Sequence, residues 1–82
     1  MVKKRNYSRY ELKDGNKLLY VGITDNPERR EVEHREEKNF GHLNIIGPKV
    51  TKDSAEEWEE KRLEQYRENH GGKNPKYNET DK

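Results

Sequence analysis

Cysteine is absent from this 82-residue chain, which removes a disulfide framework, a thiolate zinc site and a cysteine nucleophile together. Long apolar runs are absent as well. The longest, Leu18 to Val21, is far short of the roughly 20 residues that a membrane span requires. Met1-Val-Lys-Lys-Arg starts as a signal peptide's charged segment would, yet no apolar stretch follows it. These absences lead us to expect a soluble, intracellular (cytoplasmic) protein with no membrane partner. Large apolar side chains are few, with one Trp, one Phe and one Met, and Leu, Ile, Val and Phe together number 13. A chain this short buries only about 60–65% of its unfolded surface, so a thin core is expected. An excess of one sign of charge is missing too. Eighteen Lys and Arg meet 17 Asp and Glu, for a net charge of +1. The chain therefore does not repel itself open, as a disordered chain of this hydropathy would. Nor has it the strong basicity of a dedicated nucleic-acid-binding domain.

What is present is ordered along the chain. Residues 1–6 read as a basic tail, 7–78 as one domain and 79–82 as a polar tail. Tyr7 to Lys13 is a strand-like mixture ending at Asp14-Gly15-Asn16, which is hairpin-turn chemistry. Lys17 to Ile23 is apolar at consecutive positions, as a strand covered on both faces and placed centrally would be. Asn26-Pro27-Glu28 supplies a capping side chain, a residue suited to the first helical position and an acid for the positive end of the helix dipole. The helix it opens, 27–37, is almost wholly charged, and Val32 is the one aliphatic residue by which it can lean on the domain. Leu43 to Ile46 reads as a short third strand stopped by Gly47-Pro48. Ser54 with Glu57 forms a capping box for a second helix of about 15 residues, closed by Gly71-Gly72. The order ββαβα predicts an α+β domain with a small antiparallel three-stranded sheet flanked by helices.

Several residues are candidates for chemistry. On the second helix, Ala55, Glu59, Arg62 and Tyr66 share one stripe, with Trp58 and Leu63 beside it. The stripe is the helix's only apolar face, so Glu59 belongs near the packing surface and Trp58 in the core. A buried carboxylate is costly unless paired or bound to a metal, which leaves Glu59 either a salt-bridge partner of a core-facing arginine or a metal ligand. Arg30 and His34 lie one turn apart on the first helix, on a face that is either solvated or the place where the helix meets the domain or a ligand. Tyr10 and Tyr20 fall on neighbouring strands, as a cross-strand packing pair would. Gly22 interrupts a strong strand and marks a bulge or a close approach. No HExxH or comparable zinc spacing joins His34, His42 and His70.

Taken jointly, Tyr10, Tyr20-Val21-Gly22-Ile23-Thr24, Asn26-Pro27-Glu28-Arg29-Arg30, His34, the Ala55-to-Glu59 helix and Asn78 resemble the GIY-YIG nuclease domain across about residues 7–78. That family has two tyrosine-bearing strands, an arginine eight positions beyond the second motif's glycine, a histidine one helical turn later, a helical glutamate and a late asparagine. Here Ser8-Arg9-Tyr10 lacks the glycine and isoleucine of the first motif, Glu31 stands where leucine is common, and the segment from Glu59 to Asn78 is long. The resemblance implies a metal-dependent endonuclease acting on DNA, branched or flap structures included, in repair, recombination, restriction or mobile-element contexts. It also implies a protein partner or attached domain that supplies specificity. Glu59 would hold one Mg²⁺ or Mn²⁺ and Arg30 would place its fork on the scissile phosphate. Tyr20 or Tyr10 would accept the proton of the attacking water, and His34 would bond a tyrosine or the phosphate. Gly22, Arg9 and Asn78 would support the site. The departure at Ser8-Arg9 and the near-neutral charge motivate another expectation, a family-fold module that binds nucleic acid or a protein without cutting.

Overall fold

A computed structural model describes residues 5–78, so the expectations for residues 1–4 and for the tail 79–82 lie outside the described residues. The elements run β1 (Tyr7–Asp14), β2 (Lys17–Thr24), α1 (Pro27–Glu37), β3 (His42–Val50), α2 (Lys52–Asn69) and a closing 3₁₀ turn (Lys76–Asn78). The three strands form one antiparallel sheet in the order β2-β1-β3. The domain is therefore α+β with ββαβα order. No helix among the described residues is long and apolar enough to cross a membrane.

Local chemistry accounts for most boundaries. Asp14 pairs with Lys17 across a two-residue turn in which Gly15 takes φ 65°, a conformation that an L side chain resists. Asn26 caps α1 by accepting a hydrogen bond from the Arg29 amide at 3.1 Å, and Pro27 occupies the first turn. α2 starts earlier than the Ser54–Glu57 box suggests. Thr51 is the cap, and the Ser54 amide is the group it satisfies, at 3.2 Å, so Ser54 is already helical and the helix runs 18 residues.

Two strand expectations need correction. β3 does not stop at Gly47-Pro48 but continues to Val50. It is an edge strand, where a missing proline N–H need not break a ladder. A register shift against β1, with Tyr7 opposite Val50 and Arg9 opposite Ile46, absorbs the extra residues. The apolar run in β2 does not make it central either; β1 holds that place. The outer edge of β2 is instead paired by a side chain. The Asn78 amide accepts from the Val21 N–H at 2.9 Å and donates to the Val21 carbonyl at 3.2 Å, as a neighbouring strand would.

Alternation along β1 assigns the two faces of the sheet. Tyr10 and Leu12 point to one face. They form the core with Leu19, and Tyr20, Phe40, Leu43 and Tyr77 pack against it. His34 of α1 meets Tyr10 on this side, at 2.7 Å. Glu11 points to the other face, where Arg62 of α2 bonds its carboxylate through Nε at 2.8 Å. The two helices are thus tied to opposite faces. α1 leans on His34 rather than on Val32, which is exposed because it lies two residues away, about 200° around the helix from His34. Trp58 is likewise not a core residue. α2 approaches through the small, fully buried Ala55, and Trp58 is left half-buried along a groove with Lys61, Arg62 and Glu64.

Candidate active site

Four of the residues singled out in the sequence converge above Gly22. Tyr10 is fully buried, His34 is 2% exposed, and their Oη and Nε2 atoms lie 2.7 Å apart. The Tyr20 ring closes a triangle with them, its centroid 6.0 Å from Tyr10 and 4.9 Å from His34. In the β1–β2 ladder Tyr10 stands directly opposite Gly22, so the phenol lies over that residue. A Cβ on Gly22 would sit 2.7 Å from both Tyr10 Oη and Tyr20 Cε2. Glycine is the residue that lets both rings lie down.

Arg30, one turn before His34 on the same face of α1, brings the charge. Its Nη1 donates to Glu33 Oε1 at 2.9 Å, and its side chain is 41% exposed. That bond does most to hold the guanidinium charged and draws the Glu33 carboxyl below its usual range. Arg30 also lies close enough to the Tyr10 hydroxyl to pull its pKa down, but burial outweighs that pull and Tyr20 adds to the rise. Tyr10 therefore remains a neutral phenol well beyond its ordinary range. Burial lowers His34 to about 4, with Lys38 and Arg30 adding to the effect. At neutral pH a neutral phenol and a neutral imidazole share one sealed hydrogen bond beside a partly exposed arginine. Tyr20, half-buried, and Arg30 are the two members that reach the surface.

Other expected members lie elsewhere. Arg9 follows the Glu11 face, away from Tyr10; its guanidinium fills the space over Gly47 and reaches the Pro48 carbonyl at 3.4 Å. It supports the β3 bulge and not the tyrosine cluster. Asn78 is bound to the β2 edge at Val21, one residue from Gly22. Glu59 stands on the α2 stripe with Ala55 and Arg62. No hydrogen bond or ion pair among the described residues joins it to Tyr10, Tyr20, Arg30 or His34. It is half-buried with no hydrogen-bond or ion-pair partner among the described residues. Desolvation, then Glu56, raises its pKa above the carboxylate norm.

Two residues near the site escaped the reading of the sequence. Lys38 caps the end of α1, where its N–H donates to the His34 carbonyl at 2.7 Å, and places Nζ 5.5 Å from the Tyr20 ring centre and 5.9 Å from that of Tyr77. Tyr77 in turn donates to the Asn39 carbonyl at 2.9 Å. The position of Lys38 four residues after His34 was the available signal for its share in this face. No protein-family model, curated protein or solved structure matches the chain, so the resemblance to GIY-YIG nucleases rests on these residues and their spacing.

Proposed function

We propose that the domain hydrolyses DNA phosphodiester bonds with one divalent cation, as an endonuclease of the GIY-YIG type. The observation that carries this reading is the convergence of Tyr10, Tyr20, Arg30 and His34, drawn from β1, β2 and α1, over a glycine that admits both phenols. Phosphoryl transfer needs a cation on the phosphate and a base for the attacking water. Arg30 is charged and partly exposed, and its planar fork suits a phosphate that replaces Glu33 as partner. Tyr20 is the base in this reading. Tyr10 is sealed from solvent, bonded to His34 and pushed up by burial, which suits it to hold the floor of the site instead. His34, neutral, fixes the Tyr10 hydroxyl.

Glu59 fits the role of a lone ligand to Mg²⁺ or Mn²⁺. It is desolvated, unpaired among the described residues, and holds its proton more tightly than usual because burial and then the nearby Glu56 disfavour its charge. No cluster of three or more acidic or histidine side chains that could hold a metal occurs among the described residues, so water and phosphate would complete the shell, as Mg²⁺ prefers. When bound, such an ion neutralises developing charge on the phosphoryl oxygens. A protein partner would supply the choice between branched, flap and linear DNA, since a net charge of +1 gives weak, salt-sensitive affinity.

The attachment of α2 to the face opposite the tyrosine cluster favours a second reading, a module of this fold that binds nucleic acid or a protein without cutting it. Supercoiled plasmid separates the two. Nicking that requires Mg²⁺ or Mn²⁺ and is lost with chelator and in Arg30→Ala supports the nuclease. Gel retardation without nicking by the folded protein supports the binding module.

A further inference from the structure

The α2 side of the sheet contains a cavity of about 370 Å³ between the hairpin and the end of α2. That is within the about 300–1,000 Å³ typical of small-molecule sites. Its wall carries Lys13, Lys17 and Arg62, together with Tyr66, Asn69 and His70, and no carboxylate lines it. One acid, Glu11, lies behind the wall, accepting from Arg62 Nε at 2.8 Å and lying 3.7 Å from Lys13 Nζ. With Asp14 standing opposite Lys17 across the turn, three cations meet two carboxylates here, and neither carboxylate lines the cavity. Lys17, exposed beside the turn and opposite Asp14, forms no ion pair among the described residues.

The aromatic part of the wall is prearranged. Tyr66 and His70 stack with ring centres 3.8 Å apart and planes 6° from parallel, and His70 Nδ1 is 2.9 Å from the Tyr66 carbonyl. The negative end of α2 would oppose an anion here, but it is partly covered. The Gly72 and His70 amides both donate to the Arg67 carbonyl, at 2.7 and 3.2 Å. Cations placed beside a preformed aromatic stack match a phosphate attached to a planar ring, because the ring stacks while the dianion takes the charge.

We propose that this cavity binds a nucleoside monophosphate, either a free nucleotide or the phosphorylated end of a strand. The phosphate lies on Lys13, Lys17 and Arg62, and the base lies against Tyr66 and His70. The site is separate from the tyrosine cluster, since Glu11 and Tyr10 point to opposite faces of β1, and it does not rest on the nuclease reading.

The test is a nuclear magnetic resonance titration of the whole chain at low salt with AMP, adenosine and inorganic phosphate. AMP should shift the Tyr66 and His70 ring signals saturably. Adenosine and phosphate should each bind at least tenfold more weakly, because each lacks half of the recognition. Lys17→Glu, on an exposed residue, should leave the spectrum of the fold intact and weaken AMP by about tenfold or more, as loss of a charge-assisted contact does. A 5′-phosphorylated oligonucleotide and its 5′-hydroxyl counterpart then distinguish the sources. Displacement of AMP by the first alone identifies a strand end, and displacement by neither identifies a free nucleotide. The proposal is overturned if AMP and adenosine bind alike, if Lys17→Glu has no effect, or if no saturable shift occurs at these rings by about 10 mM, ten times a millimolar dissociation constant.

Discussion

Gly22→Ala is the smallest change that probes the tyrosine cluster. The added Cβ would lie 2.7 Å from Tyr10 Oη, 2.7 Å from Tyr20 Cε2 and 2.8 Å from Tyr10 Cζ. Carbon atoms in good contact are about 3.5–4.0 Å apart, so something must move by most of an ångström. Tyr20 is half-buried and can swing aside. Tyr10 is fully buried and held by His34, so it moves only by breaking that bond. Overpacking of this kind costs about 1–3 kcal/mol, and a buried hydrogen bond left unmade costs about 1–3 kcal/mol more. Alanine's lower freedom in the unfolded chain returns about 0.4–1 kcal/mol. The net expectation is a loss of about 1–5.5 kcal/mol, a large share of the roughly 4–12 kcal/mol that a domain of this size possesses.

Thermal melting followed by circular dichroism reads this directly. At about 4–8 °C per kcal/mol, the midpoint should fall by at least about 4 °C and by as much as roughly 44 °C. A companion variant makes the steric cause specific. Tyr10→Phe destabilises the parent by orphaning His34, but in the Gly22→Ala background it also removes the clashing oxygen, so its cost should shrink or change sign. A Gly22→Ala midpoint within about 3 °C of the parent, or strictly additive effects in the double variant, would refute the packing described above.

Three further outcomes are expected. Burial holds His34 near 4 against an ordinary 6.5, so the unfolded chain takes up this proton first; the resulting stability is complete above pH 6.5 and declines as pH falls toward 4, by on the order of 3 kcal/mol. Urea titrations from pH 7 to 4.5 should show a flatter decline in His34→Gln than in the parent, and parallel curves would remove the assignment. Arg30→Lys should stay folded and lose most plasmid nicking, because an ammonium cannot reproduce the fork on a phosphate; full activity would dismiss that role. Glu59→Gln should abolish metal-dependent nicking while melting at or above the parent temperature, since it removes a desolvated charge, whereas Glu60→Gln on the exposed side should change neither; the reverse pattern would move the metal assignment by one residue.

Much of this arrangement was legible because short-range chemistry decides it. Asp14-Gly15-Asn16 is a turn in any context, Asn26-Pro27 starts a helix, and four-residue spacing puts Arg30 and His34 on one face. Strand alternation together with the hairpin register places Tyr10 over Gly22. What stayed hidden depends on partners distant in sequence. Nothing local says that β2 would be an edge strand paired by Asn78, 57 residues away, or that the β1–β3 bulge would carry Gly47-Pro48. The core role expected for Trp58 failed for the same reason. A helix with one tryptophan should bury it if packing is apolar, but α2 docks through Ala55 and an ion pair whose members are 51 residues apart.

That docking bears on how the parts of the candidate site could act together. A hydrogen-bonded sheet is a wall, and Tyr10 and His34 lie on the side of α1 while the Glu59 helix is tied to the other side. A phosphate touching both Arg30 and a cation on Glu59 must therefore pass around an edge. The β3 edge is the wrong one, because β1 separates it from β2 and from the chain that leads into α1. The outer edge of β2 remains, and it is where Asn78 pairs with Val21, beside Gly22 and Tyr20. In the nuclease reading the asparagine thus occupies the seam between the two faces. Its amide satisfies a strand edge that would otherwise present bare N–H and C=O groups, and it holds the closing turn where a bent substrate backbone would cross. The binding-module reading needs no such crossing, and Asn78 would then serve the edge alone.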